Sequence, residues 1–469
     1  MRENRRIEIM ENVQKPNCGA RLDRLPDSQW HWTIFGMVAF GLLVCWSNAI
    51  GGLVLAQLKT LGWTNNSVSA IFSSLTTAGM FAGALIGGII GDKIGRRNSY
   101  LLFEIIHVIG MVAGALSPNM AFLIACRVVM GFGLGALLVT LFAGYTEYMP
   151  GRNRGTWSSR VSFIGNWSYP VCSAIAMAIT PILSADMNWR VQFIIPSILS
   201  LIATAIAFKK FPESPRWLEA QGRYDEAETI MSEIESKVEA STGKKLPPVE
   251  PVAEAEPVQS LPYSALLKGE LLKRVILGSF VLIAMNVVQY TLINWLPTIF
   301  LTQGINLKNS VVLNTMSMFG APFGIFIAML IMDKIPRRKM GIGLLVIIAV
   351  LGYVYSLQKS MTAISLIGFF LITFVYMYVC YASAVYVPEI WPTEAKLRGS
   401  GLANAVGRIS GILAPYAVAG LLDGVGVTGV FIFLGAVSII VAVAIAVIGI
   451  ETKGASIEKI GGETAKQNA

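Results

Sequence analysis

GGIIGDKIGRR, residues Gly87 to Arg97, is a glycine-rich and charged stretch set between two long apolar runs. Its last six residues carry Asp92, Lys93, Arg96 and Arg97. That charge density does not fit inside a bilayer core, so the stretch lies at a membrane surface. The flanking runs, Val68 to Ile90 and Tyr100 to Leu116, then enter and leave as helices. A weaker copy follows half a chain later, with Asp333, Lys334, Arg337, Arg338 and Lys339 again between apolar runs. The repeat predicts an all-α polytopic membrane protein made of two related halves.

Composition agrees. Of 469 residues, 54% are hydrophobic and only 14% charged, and mean hydropathy is +0.62; a soluble domain carries about 25% charged residues. The net charge of +9 does not indicate nucleic acid, because the basic residues fall in short clusters between apolar segments. Five cysteines show no paired spacing, and four of them lie in apolar runs. Neither a disulfide, a metal nor another cofactor is expected. Arg2, Arg5 and Arg6 are followed by no apolar core before Trp30, so the first membrane helix serves as the insertion signal.

Windows of about 20 apolar residues give twelve helices: Thr33 to Gln57, Val68 to Ile90, Tyr100 to Leu116, Ala121 to Ala143, Ser158 to Leu183, Arg190 to Phe208, Val275 to Leu301, Val311 to Met332, Gly341 to Leu357, Ala363 to Val387, Gly401 to Leu422 and Val427 to Ile450. With the N-terminus cytoplasmic, the loops on that side after helices two, four, eight and ten carry twelve Lys and Arg, and the opposite loops carry four. The positive-inside rule then puts both termini in the cytoplasm. One long loop, residues 209–274, separates an N-terminal bundle, 1–208, from a C-terminal bundle, 275–469. It opens with PESPRWL, predicts a surface helix over Tyr224 to Glu239, and ends in a Pro- and Glu-rich linker, Leu246 to Pro262.

Basic loops alone are ordinary topology. Here the order also repeats, since Asp precedes the basic cluster in both copies. A second element repeats as well: Glu147, Pro150, Arg154 and Gly155 after helix four, and Glu389, Pro392, Arg398 and Gly399 after helix ten.

GDKIGRR, RVVMGFGLG (Arg127 to Gly135), EYMPGRNRG (Glu147 to Gly155), PESPRWL and PEIWPTEAKLRG (Pro388 to Gly399) together resemble the signature set of the major facilitator superfamily, in its sugar-transporter branch. The resemblance spans about Arg21 to Lys453. It implies two six-helix bundles around a cavity open alternately to each side of a bacterial inner membrane, in a monomer that moves a small molecule and is no enzyme. It also implies that Asp92, Arg96, Arg97, Glu147, Arg154, Asp333, Arg337, Glu389 and Arg398 form a gate of cytoplasmic salt bridges. These would hold the bundles together in the outward-open state and break to open inward. Exposed ion pairs contribute about 0 to 1 kcal/mol each, which suits a latch that opens every cycle.

Charges inside the membrane cost roughly 2.5 to 3.5 kcal/mol at a helix centre and are kept mostly for function. Glu104 and His107 on helix three form an i, i+3 pair, read either as a structural clasp or as a proton relay. Arg127 heads the RxxxGxGxG pattern, and in proton-coupled members of the family this arginine pairs with an acid on helix one. Helix one here reads LLVCWSNAIGG, Leu42 to Gly52, without an acid. Glu104 then takes over as the titrating partner, or the protein is a facilitator, or Arg127 holds an anionic substrate.

For substrate, Asn286, Gln289, Tyr290 and Asn294 make a polar stripe on helix seven that matches where sugar transporters place their ligands. Asn166 and Trp167 on helix five, Tyr376, Tyr378 and Tyr381 on helix ten, read either as cavity or as packing, and Asn404 with Arg408 on helix eleven extend the set. The stripe has a bland reading too, as interhelical hydrogen bonding. The leading expectation is a secondary transporter of a sugar, polyol or sugar-acid-like metabolite with proton symport. Its competitors are an organic-acid transporter, a multidrug exporter and a transporter-like sensor. No GxxxxGK[ST] motif occurs, which disfavours an ATP-driven pump.

Overall fold

The computed structural model describes residues 16–46, 48–249, 261–392 and 394–453, and among these it holds helices and loops without a strand. Most of the Pro- and Glu-rich linker, at 250–260, and Ser47 lie outside the described residues. Ten helices are long and apolar enough to cross a membrane. Two further spans are broken in two, the first into Gln29–Val44 and Gly51–Thr60, the fifth into Arg154–Asn166 and Ser168–Ile179. The total is twelve spans, in the order expected from sequence.

Helix starts follow capping chemistry. At the end of the molecule away from the charged loops, the side chains of Asn65, Asn119 and Asn306 accept from Val68 N, Phe122 N and Asn309 N, each at 2.9 Å, and so open the second, fourth and eighth spans. At the charged end, Gly95 turns the second span (Asn66–Ile94) into the third (Arg96–Ala115) with φ 96°. A side chain at that φ would be strained. The short third and ninth spans, whose existence rested on the charged loops before them, are Arg96–Ala115 and Arg337–Ser356, each begun by its own arginine.

Three apolar clusters hold the molecule together. One lies almost wholly in the C-terminal half, from Leu266 to Ile445. Another joins the charged end of the N-terminal half to the surface helix Tyr224–Thr242, through Ala227, Met231, Ile234 and Val238. The third fills the opposite end of the N-terminal half around Trp46, Phe72 and Trp189. Arg21 and Arg24 tie the surface helix down further, on Glu235 at 2.7 and 2.5 Å. Burial disfavours the Glu235 carboxylate, but these two hydrogen-bonded arginines outweigh that and hold it below the usual carboxylate range.

Within the N-terminal half the tightest contact is between the second and fourth (Met120–Tyr148) spans. A Cβ at Gly83 would strike the Phe132 carbonyl, and one at Gly135 the Met80 carbonyl, so each helix offers glycine to the other's backbone. Small residues permit this approach where lipid supplies no hydrophobic drive. Leucine at Gly83 must therefore separate the helices. Gly83→Leu is expected to cost more than about 3 kcal/mol and to collapse the monodisperse peak in fluorescence-detected size-exclusion chromatography. Gly343→Ala, whose Cβ meets open space, should leave that peak unchanged.

Candidate functional site: two charged ends and a central polar cluster

The repeated charges build the same object twice. In the N-terminal half, Arg96 bonds Asp92 at 2.8 Å and Glu147 at 2.8 Å. In the C-terminal half, Arg337 bonds Asp333 and Glu389, both at 3.1 Å. Each set is completed by a residue that sequence reading left without a role. Glu213 accepts from Arg96 N at 2.7 Å and Ser214 bonds Glu147, while Glu451 accepts from Arg337 N at 2.8 Å and Thr452 bonds Glu389 at 2.5 Å. Tyr148 and Tyr386 donate to the carbonyls of Pro212 and Ile450, and Arg97 and Arg338 to those of Phe208 and Ala446. The signal was present: PES follows the sixth span and IET the twelfth, at equivalent places in the repeat.

The expected latch between bundles is not what these residues make in this state. Every one of these pairs stays within its own half, and among the described residues no ion pair joins the halves at the charged end. Arg154 turns to Asp23 at 3.6 Å, and Arg398 donates to the Leu261 carbonyl at 2.7 Å. The guanidinium side chains of Arg96 and Arg337 are 16% and 7% exposed, whereas their aspartates are 76% and 91% exposed. The arginines are fixed and the aspartates face outward.

At the opposite end the halves meet directly, through backbone contacts and side-chain hydrogen bonds. The first span's Gly51 and Gly52 press on the seventh span, Gly269–Thr302, where a Cβ at Gly52 would lie 2.5 Å from the Ile293 carbonyl oxygen. Asn66 donates to Asp423 at 2.6 Å. Asn314 and Thr315 donate to Ser173 at 3.1 and 3.0 Å.

Between the two ends, helices break. The first span interrupts after Val44, the fifth hinges at Trp167, the eighth at Phe319 between Leu307–Met318 and Gly320–Ile331, and the tenth passes from Met361–Val379 into a π-helix, Cys380–Tyr386. Irregular backbone at membrane depth is tolerated only where protein or a cavity surrounds it. A cavity of about 190 Å³ does sit there, its wall including Cys45, Asn48, Asn166, Ser168 and Tyr169. Trp167 reaches the other half at the Phe319 ring, 6.3 Å between centroids. Tyr169 meets Tyr376 of the tenth span at 5.6 Å and also lies against Asn48, while Tyr376 lies against Gln289. Asn48, Tyr169, Tyr376 and Gln289 thus form a polar and aromatic bridge between the halves.

The seventh-span stripe is divided among three neighbours. Gln289 faces the bridge. Asn286 and Tyr290 pack on Gly407 and Gly411 of the eleventh span, Lys396–Gly424, and Asn286 donates to Leu282 O at 2.7 Å. Asn294 sits against Gly51. Asn166 lines the cavity and donates to Ser162 O at 2.8 Å. Asn404 is exposed, donating to Ser400 O, and Arg408 is half-buried and makes no ion pair among the described residues. Tyr381 is a correction: it is fully buried, stacked on Tyr386 at 5.1 Å and pressed on Gly341 inside the C-terminal half, away from the bridge. The π-helix turns it there. Tyr376, one α-helical stretch earlier, lies between the halves against Tyr169, a residue that follows a hinge helical periodicity does not reveal.

Glu104 and His107 are completely buried, 3.9 Å apart, inside the N-terminal half. Cys45, at the break in the first span, joins them, and the ligand atoms of the three lie within 4.8 Å of one another. Neither Glu104 oxygen has a hydrogen bond of good geometry among the described residues, although Ser200 lies beside it. Arg127 is 1% exposed, donates to Thr76 Oγ1 at 3.3 Å and covers the Phe72 ring at 4.8 Å. It lies near enough to His107 to be felt electrostatically, and it shares Gly51 with Asn294. The Glu104 carboxylate of the third span thus lies beside Cys45, at the break in the first span.

Comparison with known proteins bears on the fold and the family. The family model described as "Sugar (and other) transporter" matches residues 25–463. The chain is 77% identical to the metabolite transport protein YdjK of Escherichia coli (strain K12), over 96% of this chain and 98% of that one. It is 44% identical to the inner membrane metabolite transport protein YdjE of the same organism, over 95% and 99%. Among solved structures, the partially occluded inward-open xylose transporter XylE of E. coli superposes with a TM-score of 0.71 at 17% identity, covering 92% of this chain and 100% of that one. With twelve spans in two six-helix bundles, paired charge sets and a family match over nearly its whole length, the chain belongs to the sugar transporter family of the major facilitator superfamily.

Proposed function

We propose that the protein moves a small polar metabolite, a sugar, polyol or sugar-acid-like compound, across the bacterial inner membrane by alternating access with proton symport. The bridge of Asn48, Tyr169, Tyr376 and Gln289 carries this reading. It places neutral donors and acceptors and aromatic faces from both halves at one level, beside broken helices, which is the chemistry a polyhydroxylated solute needs. The working unit is a monomer with bundles 1–208 and 275–469, loop 209–274 and both termini in the cytoplasm. On that orientation the charged end is cytoplasmic, and the contacts at Gly52, Asn66 and Ser173 close the far side.

In this structure the two arginine sets brace each half, and the exposed Asp92 and Asp333 are the members free to take new partners when the cytoplasmic ends approach. Asp92→Asn should sharply reduce transport at equal protein level, while affinity measured from one side is kept. Unchanged transport would remove the loop from the mechanism.

Glu104, His107 and Arg127 form the coupling group. An unpaired charge buried there would cost several kcal/mol, so proton occupancy and conformation are tied together. Thiol, carboxylate and imidazole also ligate metals, but no fourth donor joins the set among the described residues, and a proton suits it best. Glu104→Gln should retain substrate exchange, which needs only alternating access, and lose accumulation driven by a pH gradient. Equal loss of both fluxes, with lower abundance, would make the pair a clasp.

The substrate is tested by uptake into proteoliposomes of labelled sugars, polyols and sugar acids, with and without a pH gradient. Gln289→Ala should raise the half-saturation concentration roughly tenfold, from loss of about 1 to 3 kcal/mol of hydrogen bonding. Ile276→Ala, at an exposed position of the same helix, should not. Failure of every compound to enter above the level of empty liposomes would overturn the reading. The half-buried Arg408 favours a second reading, an organic acid held by its carboxylate. Selective uptake of acids, lost in Arg408→Gln, would establish that alternative.

A further inference from the structure

A second cavity, away from the central bridge, lies at the charged end of the N-terminal half. It measures about 680 Å³ and is bounded by the start of the first span, the end of the sixth (Ala185–Lys210) and the surface helix Tyr224–Thr242. Trp30, Ile34 and Ile234 give it an apolar wall, and Lys209, Lys210 and Lys237 give it a cationic rim. Glu233, the carboxylate among the lining residues, is bonded to Lys237 at 2.6 Å. Lys209 and Lys210 make no ion pair among the described residues, so the lining carries two cations in excess.

Its position sets the depth. Two membrane helices end at the cavity, and Trp32 (50% exposed) and Phe208 (62% exposed) stand beside it on those same helices, as aromatic residues do at the headgroup level. An apolar wall together with amino groups matches a phosphodiester headgroup above the first carbons of its chains. We infer that this cavity is a binding site for an anionic phospholipid, which fastens the surface helix to the membrane ends of the first and sixth spans. The charge excess selects an anionic lipid over a zwitterionic one. The apolar wall selects a lipid over a free phosphate ion.

The inference is tested on the purified full chain in detergent, by thermal unfolding with added phosphatidylglycerol, phosphatidylcholine or inorganic phosphate. The expected result is a rise of several degrees in Tm with phosphatidylglycerol alone, lost in the K209Q/K210Q variant, whose exposed positions leave the basal Tm unchanged. Native mass spectrometry should show fewer retained phosphatidylglycerol molecules on that variant than on the wild type. An equal rise with phosphatidylcholine, or an equal rise and equal lipid retention in the variant, would overturn the site. An equal rise with inorganic phosphate would overturn the lipid reading in favour of a soluble anion.

Discussion

One guanidinium in each half, Arg96 in the first and Arg337 in the second, holds the ends of four helical segments together. Each bonds an aspartate four residues earlier in the chain and a glutamate at the end of the span that packs beside it. Each also stands at a helix start whose backbone N–H is taken by a glutamate beyond the last span of its half. These contacts sit where the bilayer ends and water begins, so they are stronger than fully exposed pairs and avoid the desolvation that penalises deeply buried ones. Both sets are satisfied within their own half.

The two ends of the molecule use different chemistry for this reason. The charged end braces the halves separately, while the opposite end joins them through glycine backbone contacts and side-chain hydrogen bonds, one of them to the Asp423 carboxylate. The breaks in the first, fifth and eighth spans lie between these ends, and the groups that bridge the halves gather beside them. Fold, cavity and hinge positions therefore follow from where the chain can leave regular helix without stranding backbone polar groups in lipid.

Much of this was legible in the sequence because membrane spans and charged loops are long-range, low-resolution signals. The GDKIGRR stretch and its copy fixed the half-chain repeat, and the Asp-before-Arg order identified Arg96 and Arg337 as equivalent. What was not legible was partner choice. Sequence order could not show that Arg96 bonds Glu147 of its own half instead of crossing to the other, nor that Glu213 and Glu451 complete the sets. The central site was harder still, because Trp167 and Phe319 hinge their helices and the π-helix rotates Tyr381 inward. Helical spacing, on which the seventh-span stripe was read as one surface, gives direction along a single helix but not which neighbour each side chain meets. Thus Gln289 reaches the bridge while Asn286 and Tyr290 pack on the eleventh span.

The account rests on the two ends closing in alternation as rigid halves turn about the central bridge. Spin labels placed on a cysteine-free background at Lys93 and Lys334, and separately at Thr60 and Val425, report the two ends by double electron–electron resonance. A bulky Gly52→Trp substitution cannot be accommodated against the Ile293 carbonyl and must pry the uncharged end apart. The account predicts that this variant lengthens the Thr60 to Val425 distance and shortens the Lys93 to Lys334 distance in the same molecules. A longer distance at the uncharged end with no change at the charged end would contradict it.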